Sequence, residues 1–196
     1  MRIIGLGHYS RVGKDTLADQ IVAECKKRRP DVVAGKVAFA HKLKVLCHDI
    51  FAWAGLREPE YYDTIEGAAE RDEVLLSIGM TPVQLWVKFG NMMRDEFHQD
   101  VWVNSLFHDL EGQADVAAIS DVRFLNECES ILEIPGSQLV KVTNPGVQPK
   151  DTPSDKALID YDGWHETVDN CGTVQDLSAH ARRLAGQVLA GMPSLA

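Results

Sequence analysis

The sequence lacks two features that would place the protein in or across a membrane. It contains no apolar run approaching the ~20 residues that span a bilayer. Its first residues, Met1 to Gly5, lead straight into a glycine-rich polar turn, without an apolar stretch of the length found in secretory signals. We therefore expect a cytoplasmic protein with no membrane partner.

Cysteine is scarce and poorly spaced for metal binding. No Cys-x-x-Cys pair occurs, and the four cysteines stand at long, irregular intervals: Cys25, Cys47, Cys128 and Cys171. This spacing predicts neither a zinc site nor a disulfide framework. The seven histidines include no close pair on one helix face with a neighbouring carboxylate. We expect reduced thiols and no metal site made of cysteine or histidine.

Positive charge is also in deficit. Lys and Arg together number 20 against 29 Asp and Glu, which gives a net charge of -9. A protein that grips nucleic acid regardless of sequence needs a cationic face to displace counterions. The composition therefore disfavours a nucleic acid polymer as partner, but it still permits a local cationic pocket for a small anion.

What the chain has is the make-up of an ordinary globular domain, with 196 residues of which 45% are hydrophobic. Short apolar runs alternate with longer amphipathic stretches, which favours an α/β fold with a mainly parallel sheet. The predicted strands are 2–6, 37–39, 115–120, 139–142 and 166–169. The predicted helices are 15–28, 41–54, 82–111 (one helix or two), 126–133 and 173–190.

One stretch carries recognisable chemistry. Residues 5–16 read Gly-Leu-Gly-His-Tyr-Ser-Arg-Val-Gly-Lys-Asp-Thr, between the first predicted strand and the first predicted helix. A phosphate-binding loop requires this context. The N–H groups of a tight loop and of the following helix N-terminus point at one spot, and Lys14 adds a full positive charge. The stretch predicts a site for a phosphate group.

The loop departs from the usual Gly-x-x-x-x-Gly-Lys-Ser/Thr pattern in two places. His8 occupies the place of the first glycine, since Gly7 comes one residue too early. Asp15 follows the lysine, where a magnesium-binding hydroxyl is usual. Either Thr16 takes over the hydroxyl role, or Asp15 reaches a metal directly or through water. The alternative is a glycine-containing turn in which Asp15 merely caps the helix.

A second candidate group follows the strand predicted at 115–120. Asp121 ends a run that is typical of a strand buried on both faces, and parallel sheets bind ligands at that edge. In P-loop enzymes such an acid orients Mg²⁺ or accepts the proton of the attacking hydroxyl. Arg123 is close enough to share the crevice. The alternatives are a turn or cap aspartate and a structural pair between Asp121 and Arg123.

With these residues in view, four segments resemble the bacteriophage-type deoxynucleoside monophosphate kinases, a P-loop family. They occur in the expected order: 13–16 (Gly-Lys-Asp-Thr), 39–44 (Phe-Ala-His-Lys-Leu-Lys), 90–103 (Gly-Asn-Met-Met-Arg, then Asp-Val-Trp-Val) and 119–127 (Ile-Ser-Asp-Val-Arg-Phe-Leu-Asn-Glu). The last segment is the most specific. A weaker likeness, to small P-loop kinases in general, lies at 169–173 (Asp-Asn-Cys-Gly-Thr).

The resemblance implies a P-loop kinase-like three-layer α/β/α fold. It also implies transfer of the γ-phosphoryl of ATP, with Mg²⁺, to a deoxynucleoside monophosphate. The residues implied to hold the ATP phosphates are Ser10, Arg11, Val12, Gly13, Lys14, Asp15 and Thr16. The implied catalytic residues are Lys14, Arg94, Asp121 and Arg123, and the metal-side residues are Asp15, Thr16 and Asp121. The implied acceptor-binding residues are Lys44, Arg94, Trp102 and Arg123, although Trp102 has packing as its alternative.

We predict one domain over residues 1–196, with an acceptor-binding helical insertion at about 55–110 and a lid or loop at about 144–163. The lid contains no arginine. Phosphoryl transfer needs cations around the equatorial oxygens of the transferred group. We therefore expect Arg11, Arg94 and Arg123 to supply a larger share of that positive charge. Two further departures from the family are Gln84, where we expect arginine, and Asp155, where the family tends to have glutamate.

Two other functions stay open at this point. One is a P-loop kinase of another small acceptor, similar to the dephospho-coenzyme A kinases. The other is an inert nucleotide-binding module, which the unusual His8 and Asp15 suggest. In each case the partners are small nucleotides, in the host cytoplasm if the protein is phage-encoded. The apolar region 82–107 would serve either as a homodimer face or as core.

Overall fold

The computed structural model describes residues 1–192, which form two compact units. The first unit comprises Met1–Ala38 and the described residues from His108 onward, and the second comprises Phe39–Phe107. The acceptor-binding helical insertion at about 55–110 stays a prediction. Separate clusters of buried apolar side chains lie in the two units.

The first unit is built on a sheet of five strands, all parallel among the described residues. The strands are β1 (Arg2–Gly7), β2 (Ala34–Val37), β3 (Val116–Val122), β4 (Gln138–Thr143) and β5 (Glu166–Asp169). Their order across the sheet is β2-β3-β1-β4-β5. The central strands β1 and β3 are apolar and buried along almost their whole length, as expected of strands covered on both faces.

The described residues form eight α-helices. They are α1 (Lys14–Arg28), α2 (Phe39–Phe51), α3 (Ile65–Glu70), α4 (Pro82–Glu96), α5 (Val101–Leu110), α6 (Leu125–Leu132), α7 (Pro153–Lys156) and α8 (Val174–Leu189).

Helices cover both faces of the sheet. On one face, Leu17 of α1 and Leu184 of α8 are fully buried in one cluster with side chains of the strands. On the other face α6 packs closely on β1, where a Cβ atom on Gly5 would lie 2.8 Å from the side chains of both Ile131 and Leu139. The three-layer α/β/α fold with a parallel sheet is therefore confirmed.

The second unit is helical. Its core is centred on Tyr62, which is 1% exposed and stands edge-on to Trp86 with ring centroids 5.1 Å apart. Helices α2 and α4 pack with two short 3-10 helices, Ala52–Ala54 and Pro59–Asp63. The other buried members of this core are Leu43, Cys47, Leu56, Leu85 and Trp102.

Most predicted elements are confirmed to within a residue or two. The helices predicted at 15–28, 126–133 and 173–190 are α1, α6 and α8, and the strand at 166–169 is β5. The strand predicted at 37–39 was wrong, because β2 ends at Val37 and α2 already begins at Phe39. The region 82–111 contains two helices, α4 and α5. No helix within residues 1–192 is both long and apolar enough to cross a membrane.

Candidate phosphate-binding site

The loop that joins β1 to α1 lies at the carboxyl edge of the sheet. β1 connects to β2 at one side of the sheet, whereas its neighbour β4 connects to β5 at the other side. Connections that diverge in this way leave a crevice at the strand ends, where α/β proteins bind ligands. Residues 8–13 therefore occupy the position in which a phosphate-binding loop is expected.

Helix α1 begins without a side-chain cap. Its N-cap residue is Gly13, with a φ of 99°, and no side chain of the described residues caps the first turn. Asp15 is exposed in that turn and accepts a hydrogen bond of 2.7 Å from the Ser120 hydroxyl. The alternative in which Asp15 caps α1 was therefore wrong. The first amides of the helix are left for an anion to satisfy.

His8 holds a backbone conformation that favours glycine. Its φ is 100°, and Arg11 also has a positive φ, of 64°. Such strain in non-glycine residues clusters at functional sites. The His8 ring stacks on Tyr9 with centroids 3.7 Å apart. Burial lowers the pKa of His8 to about 4, and the charges of Lys141, Lys14 and Arg123 act in the same direction, so the ring is neutral at pH 7.

Lys14 folds back over the loop. Its amine donates to the backbone oxygens of His8, at 3.0 Å, and Tyr9. The side chain is buried, and burial together with the positive charge of Arg123 lowers the pKa of Lys14 to about 7. Three carboxylates act in the opposite direction: Asp15, Asp121 and Asp155. The amine and the guanidinium are thus close enough to repel each other, and an anion beside both would relieve that repulsion.

The turn after β5 supports the loop. The Asn170 side chain donates to the Val12 carbonyl at 3.0 Å, and the Asn170 N–H donates to Thr143 at 2.7 Å. A Cβ atom on Gly13 would collide with the Asn170 amide. Gly13 is therefore required both by its positive φ and by this contact. Sequence reasoning placed Asn170 only in the weak likeness at 169–173 and gave it no role.

The end of β3 supplies the acidic side of the site. Ser120 is buried and binds Asp15, and Asp121 follows it in a half-buried position. The negative charges of Asp15 and Asp121 both act to raise the pKa of Lys14. Thr16 is exposed in the first turn of α1. These hard oxygen donors suit Mg²⁺, which is bound through one or two carboxylates together with substrate phosphates.

Arg123 is fixed at both its backbone and its side chain. The buried carboxylate of Glu127 accepts hydrogen bonds from the N–H groups of Arg123, at 2.6 Å, and Phe124, at 3.0 Å. Nη1 of Arg123 donates to Oδ1 of Asp155 at 2.6 Å. Arg123 and Asp121 were considered as a structural pair, but the carboxylate that holds the guanidinium is Asp155.

Sequence reasoning missed Asp155 as a site residue. It lies in the short helix α7, inside the segment predicted as a lid, and is 3% exposed. Burial would raise the pKa of Asp155, but the hydrogen bonds that it accepts from Lys150 and Ser10 and the charge of Arg123 hold it below its usual value. The only available signal was the departure from the family's Ser-Glu at residues 154–155.

Buried polar side chains are concentrated at this edge of the sheet. Among the described residues, four polar or charged side chains are buried: Lys14, Ser120, Glu127 and Asp155. Each of them lies in the loop or holds a group beside it. Burial of polar groups is costly unless they are paired, so their concentration makes this edge of the sheet the candidate functional site of the first unit.

The remaining predicted residues lie in the second unit. Lys44 places its amine 5.1 Å from the centroid of the Trp86 ring. Arg94 is half-buried on α4. Trp102 is 4% exposed and its Nε1 donates to the Gly90 carbonyl at 3.3 Å, which matches the packing alternative rather than an open ring face.

Gln84 has a structural task. Its side chain accepts a hydrogen bond from the Thr81 N–H at 3.0 Å, and the Thr81 hydroxyl accepts one from the Gln84 N–H at 3.2 Å. The two residues form a capping box at the start of α4. Gln84, which stands where the resemblance led us to expect arginine, is thus engaged with its own helix.

Comparisons with known proteins do not assign the chain to a family. No family model matches the chain, and no curated protein matches it. Among solved structures, a sugar kinase from Janibacter sp. is similar at 12% identity and a TM-score of 0.47, over 92% of each chain. A dephospho-CoA kinase from Campylobacter jejuni is similar at 11% identity and a TM-score of 0.44, over 95% of this chain and 97% of that chain. A shikimate kinase from Aquifex aeolicus is similar at 12% identity and a TM-score of 0.39, over 96% of this chain and 99% of that chain. TM-scores this low carry no functional argument, so we infer the function from the residues of the site.

Proposed function

We propose that this chain is an ATP-dependent phosphotransferase that moves the γ-phosphoryl of ATP to a small monophosphate acceptor. One observation carries the proposal: the loop of residues 8–13 wraps around the buried amine of Lys14 at the carboxyl edge of the sheet. Arg123 lies close enough to lower the pKa of that amine. Two cations and a row of helix N-terminal amides make a site for a polyphosphate.

The roles follow from position. The amides of Gly13 to Thr16 and the amine of Lys14 hold the β- and γ-phosphates, as in other loops of this type. Arg123 stabilises charge on the transferred phosphoryl group. Asp121, at the end of β3, either orients the metal or accepts the proton of the attacking acceptor oxygen.

Mg²⁺ is part of this proposal. Asp15 and Asp121 would hold it, and Thr16 offers a hydroxyl in the same helical turn. When bound, the ion neutralises negative charge on the phosphate oxygens during transfer. Asp15 is oriented for this task by the hydrogen bond that it accepts from Ser120.

A deoxynucleoside monophosphate is the acceptor that the sequence resemblance favours. The segments that carry the likeness in the second unit include Lys44 and Arg94, which would hold the acceptor phosphate. We also propose that the protein acts on free nucleotides rather than on a nucleic acid polymer, because its net charge is -9. A cytoplasmic location and a homodimer stay predictions.

One observation favours a different small acceptor. Gln84 replaces the arginine of the family and is engaged in capping α4. Acceptor recognition in this chain therefore lacks one expected cation, which would suit an acceptor other than a deoxynucleoside monophosphate, such as dephospho-coenzyme A.

An assay of ADP release tests the proposal. Purified protein is incubated with ATP and Mg²⁺ and with each of a panel of deoxynucleoside monophosphates, ribonucleoside monophosphates and dephospho-coenzyme A. We expect acceptor-dependent ADP release that Lys14→Ala abolishes and that Lys27→Ala, at an exposed helix end, leaves unchanged. ATP binding without turnover on any acceptor would indicate the inert module. Equal rates for wild type and Lys14→Ala would refute the loop assignment.

A further inference from the structure

Asp155 connects three segments of the first unit at one carboxyl group. Oδ1 accepts hydrogen bonds from Nη1 of Arg123 at 2.6 Å and from the Ser10 hydroxyl and N–H at 3.1 and 3.3 Å. Oδ2 accepts from the Lys150 N–H at 2.9 Å. The phosphate loop, the segment after β3 and the segment that contains α7 therefore meet at this side chain.

The carboxylate itself is held firmly. Thr152 caps the short helix α7 through a hydrogen bond from the Asp155 N–H, and Asp155 is 3% exposed. A buried carboxylate needs compensation by charge or hydrogen bonds, and Asp155 receives both. It therefore acts as a fixed anchor for whatever binds to it.

The anchor leaves part of the guanidinium uncommitted. Of the five N–H donors of an arginine side chain, described residues engage one on Nη1, with Asp155, and one on Nη2, in a long contact of 3.4 Å with Ser10. The side chain is 20% exposed. One edge of Arg123 is thus bound to Asp155 and Ser10, and the charge of the same guanidinium acts on the Lys14 amine.

We propose that Asp155 is a positioning residue of the phosphoryl-transfer site, which holds Arg123 so that its second edge meets the γ-phosphoryl of ATP. This inference rests on the proposed function. Asp155 itself does not touch the nucleotide. It acts through the guanidinium, because an arginine bound on one edge loses the freedom that would otherwise spread its charge over many positions.

The competing interpretation is a purely structural tie between α7 and the loop. The two interpretations differ in how Asp155→Asn combines with Arg123→Ala. If Asp155 acts through Arg123, its loss matters only while Arg123 is present. If it is a structural tie, its loss lowers activity by the same factor in both backgrounds.

The experiment measures kcat and KM for four proteins: wild type, Asp155→Asn, Arg123→Ala and the double variant. We expect Asp155→Asn to lower kcat by about 10- to 100-fold, the scale of a misplaced catalytic group. Arg123→Ala should lower kcat by about 10³-fold, and the double variant should match it within about threefold. The conservative Asp155→Glu should restore most of the kcat. Multiplication of the two single effects in the double variant would overturn the inference.

Arg123→Lys keeps the inference open to contradiction if Asp155→Asn does not fold, because it tests the role of the guanidinium by itself. The lysine ammonium can still pair with Asp155, so thermal stability should stay close to wild type, but it has no second edge for the phosphoryl group. We expect a loss of kcat close to that of Arg123→Ala. A Lys variant with nearly wild-type kcat would contradict the role assigned to the guanidinium fork.

Calorimetry without acceptor separates this inference from the proposed function. We expect wild type to bind ATP more tightly than ADP, and Asp155→Asn to reduce that preference by about tenfold with ADP affinity unchanged. A wild-type protein that binds no nucleotide would contradict the proposed function, and the inference with it. A protein that binds ATP, with or without turnover, and keeps its full ATP preference in Asp155→Asn would contradict the inference alone.

Discussion

At the scale of single residues, the site is defined by groups that sequence patterns point to and by groups that only the fold brings in. Lys14, Asp121 and Arg123 occur in short motifs whose chemistry is readable without a structure. Asp155 and Asn170 are distant from the loop in sequence but contact it in the fold. No spacing rule connects residue 10 with 155 or residue 12 with 170, because those contacts depend on how the strands are ordered.

Gly13 provides the first residue-scale prediction. Gly13→Ala imposes a φ of 99° on a side chain and drives its Cβ into the Asn170 amide. We expect Gly13→Ala to lower the free energy of unfolding by at least ~2 kcal/mol and to weaken ATP binding, because the cost of backbone strain is added to that of the lost Asn170 hydrogen bond. Gly112→Ala is the matched control, because its φ is 69° and no atom would lie within 4 Å of the new Cβ. Gly112→Ala should lower the free energy of unfolding by about 1 kcal/mol. Equal losses in urea unfolding would contradict the Asn170 contact.

Lys14 provides a prediction about pH. Burial lowers the pKa of Lys14 in the folded protein to about 7, below its ordinary value of 10.5. Between these values the unfolded chain binds more protons than the folded one, so stability gains from rising pH. Relative to Lys14→Met, wild type should become steadily more stable from about pH 7 to about pH 10. Urea unfolding across that range tests this, and a difference that stays constant or shrinks would contradict the burial of the charge.

At the scale of elements, the predictable parts are those with a local cause. The continuous apolar run at 116–119 is typical of a buried strand, and the alternating four- and three-residue spacing of apolar residues from Leu177 to Val188 is typical of a helix packed on one face. The second strand was misplaced because β2 is a short edge strand whose sequence, Ala-Gly-Lys-Val, has little apolar signal. Its pairing with β3 defines it, and pairing is not visible in a single segment.

The start of α4 gives the element-scale prediction. Gln84 and Thr81 satisfy each other's N–H groups, and Pro82 fits the first turn. Gln84→Ala should lower the free energy of unfolding by about 0.5–1 kcal/mol, because one of the two reciprocal hydrogen bonds of the capping box is lost. Gln84→Glu keeps the capping box and should remain within about 0.5 kcal/mol of wild type. Equal stability of Gln84→Ala and wild type would contradict the role of Gln84 in capping α4.

At the scale of the whole molecule, the charge distribution agrees with a binder of small anions. The protein has a net charge of -9, yet Lys14 and Arg123 sit together at the sheet edge. A cationic site in an acidic surface concentrates phosphate where it is needed and repels nucleic acid polymers. The candidate acceptor residues Lys44 and Arg94 belong to the second unit, and the candidate ATP residues belong to the first.

Phosphorus NMR directly follows the proposed transfer of a phosphoryl group from ATP to a small monophosphate. With ATP, Mg²⁺ and a mixture of deoxynucleoside monophosphates, we predict that a monophosphate resonance is replaced by diphosphate resonances in step with the formation of ADP. Lys14→Ala should give no change. Release of ADP together with inorganic phosphate, or no reaction with any acceptor of the panel, would contradict the account.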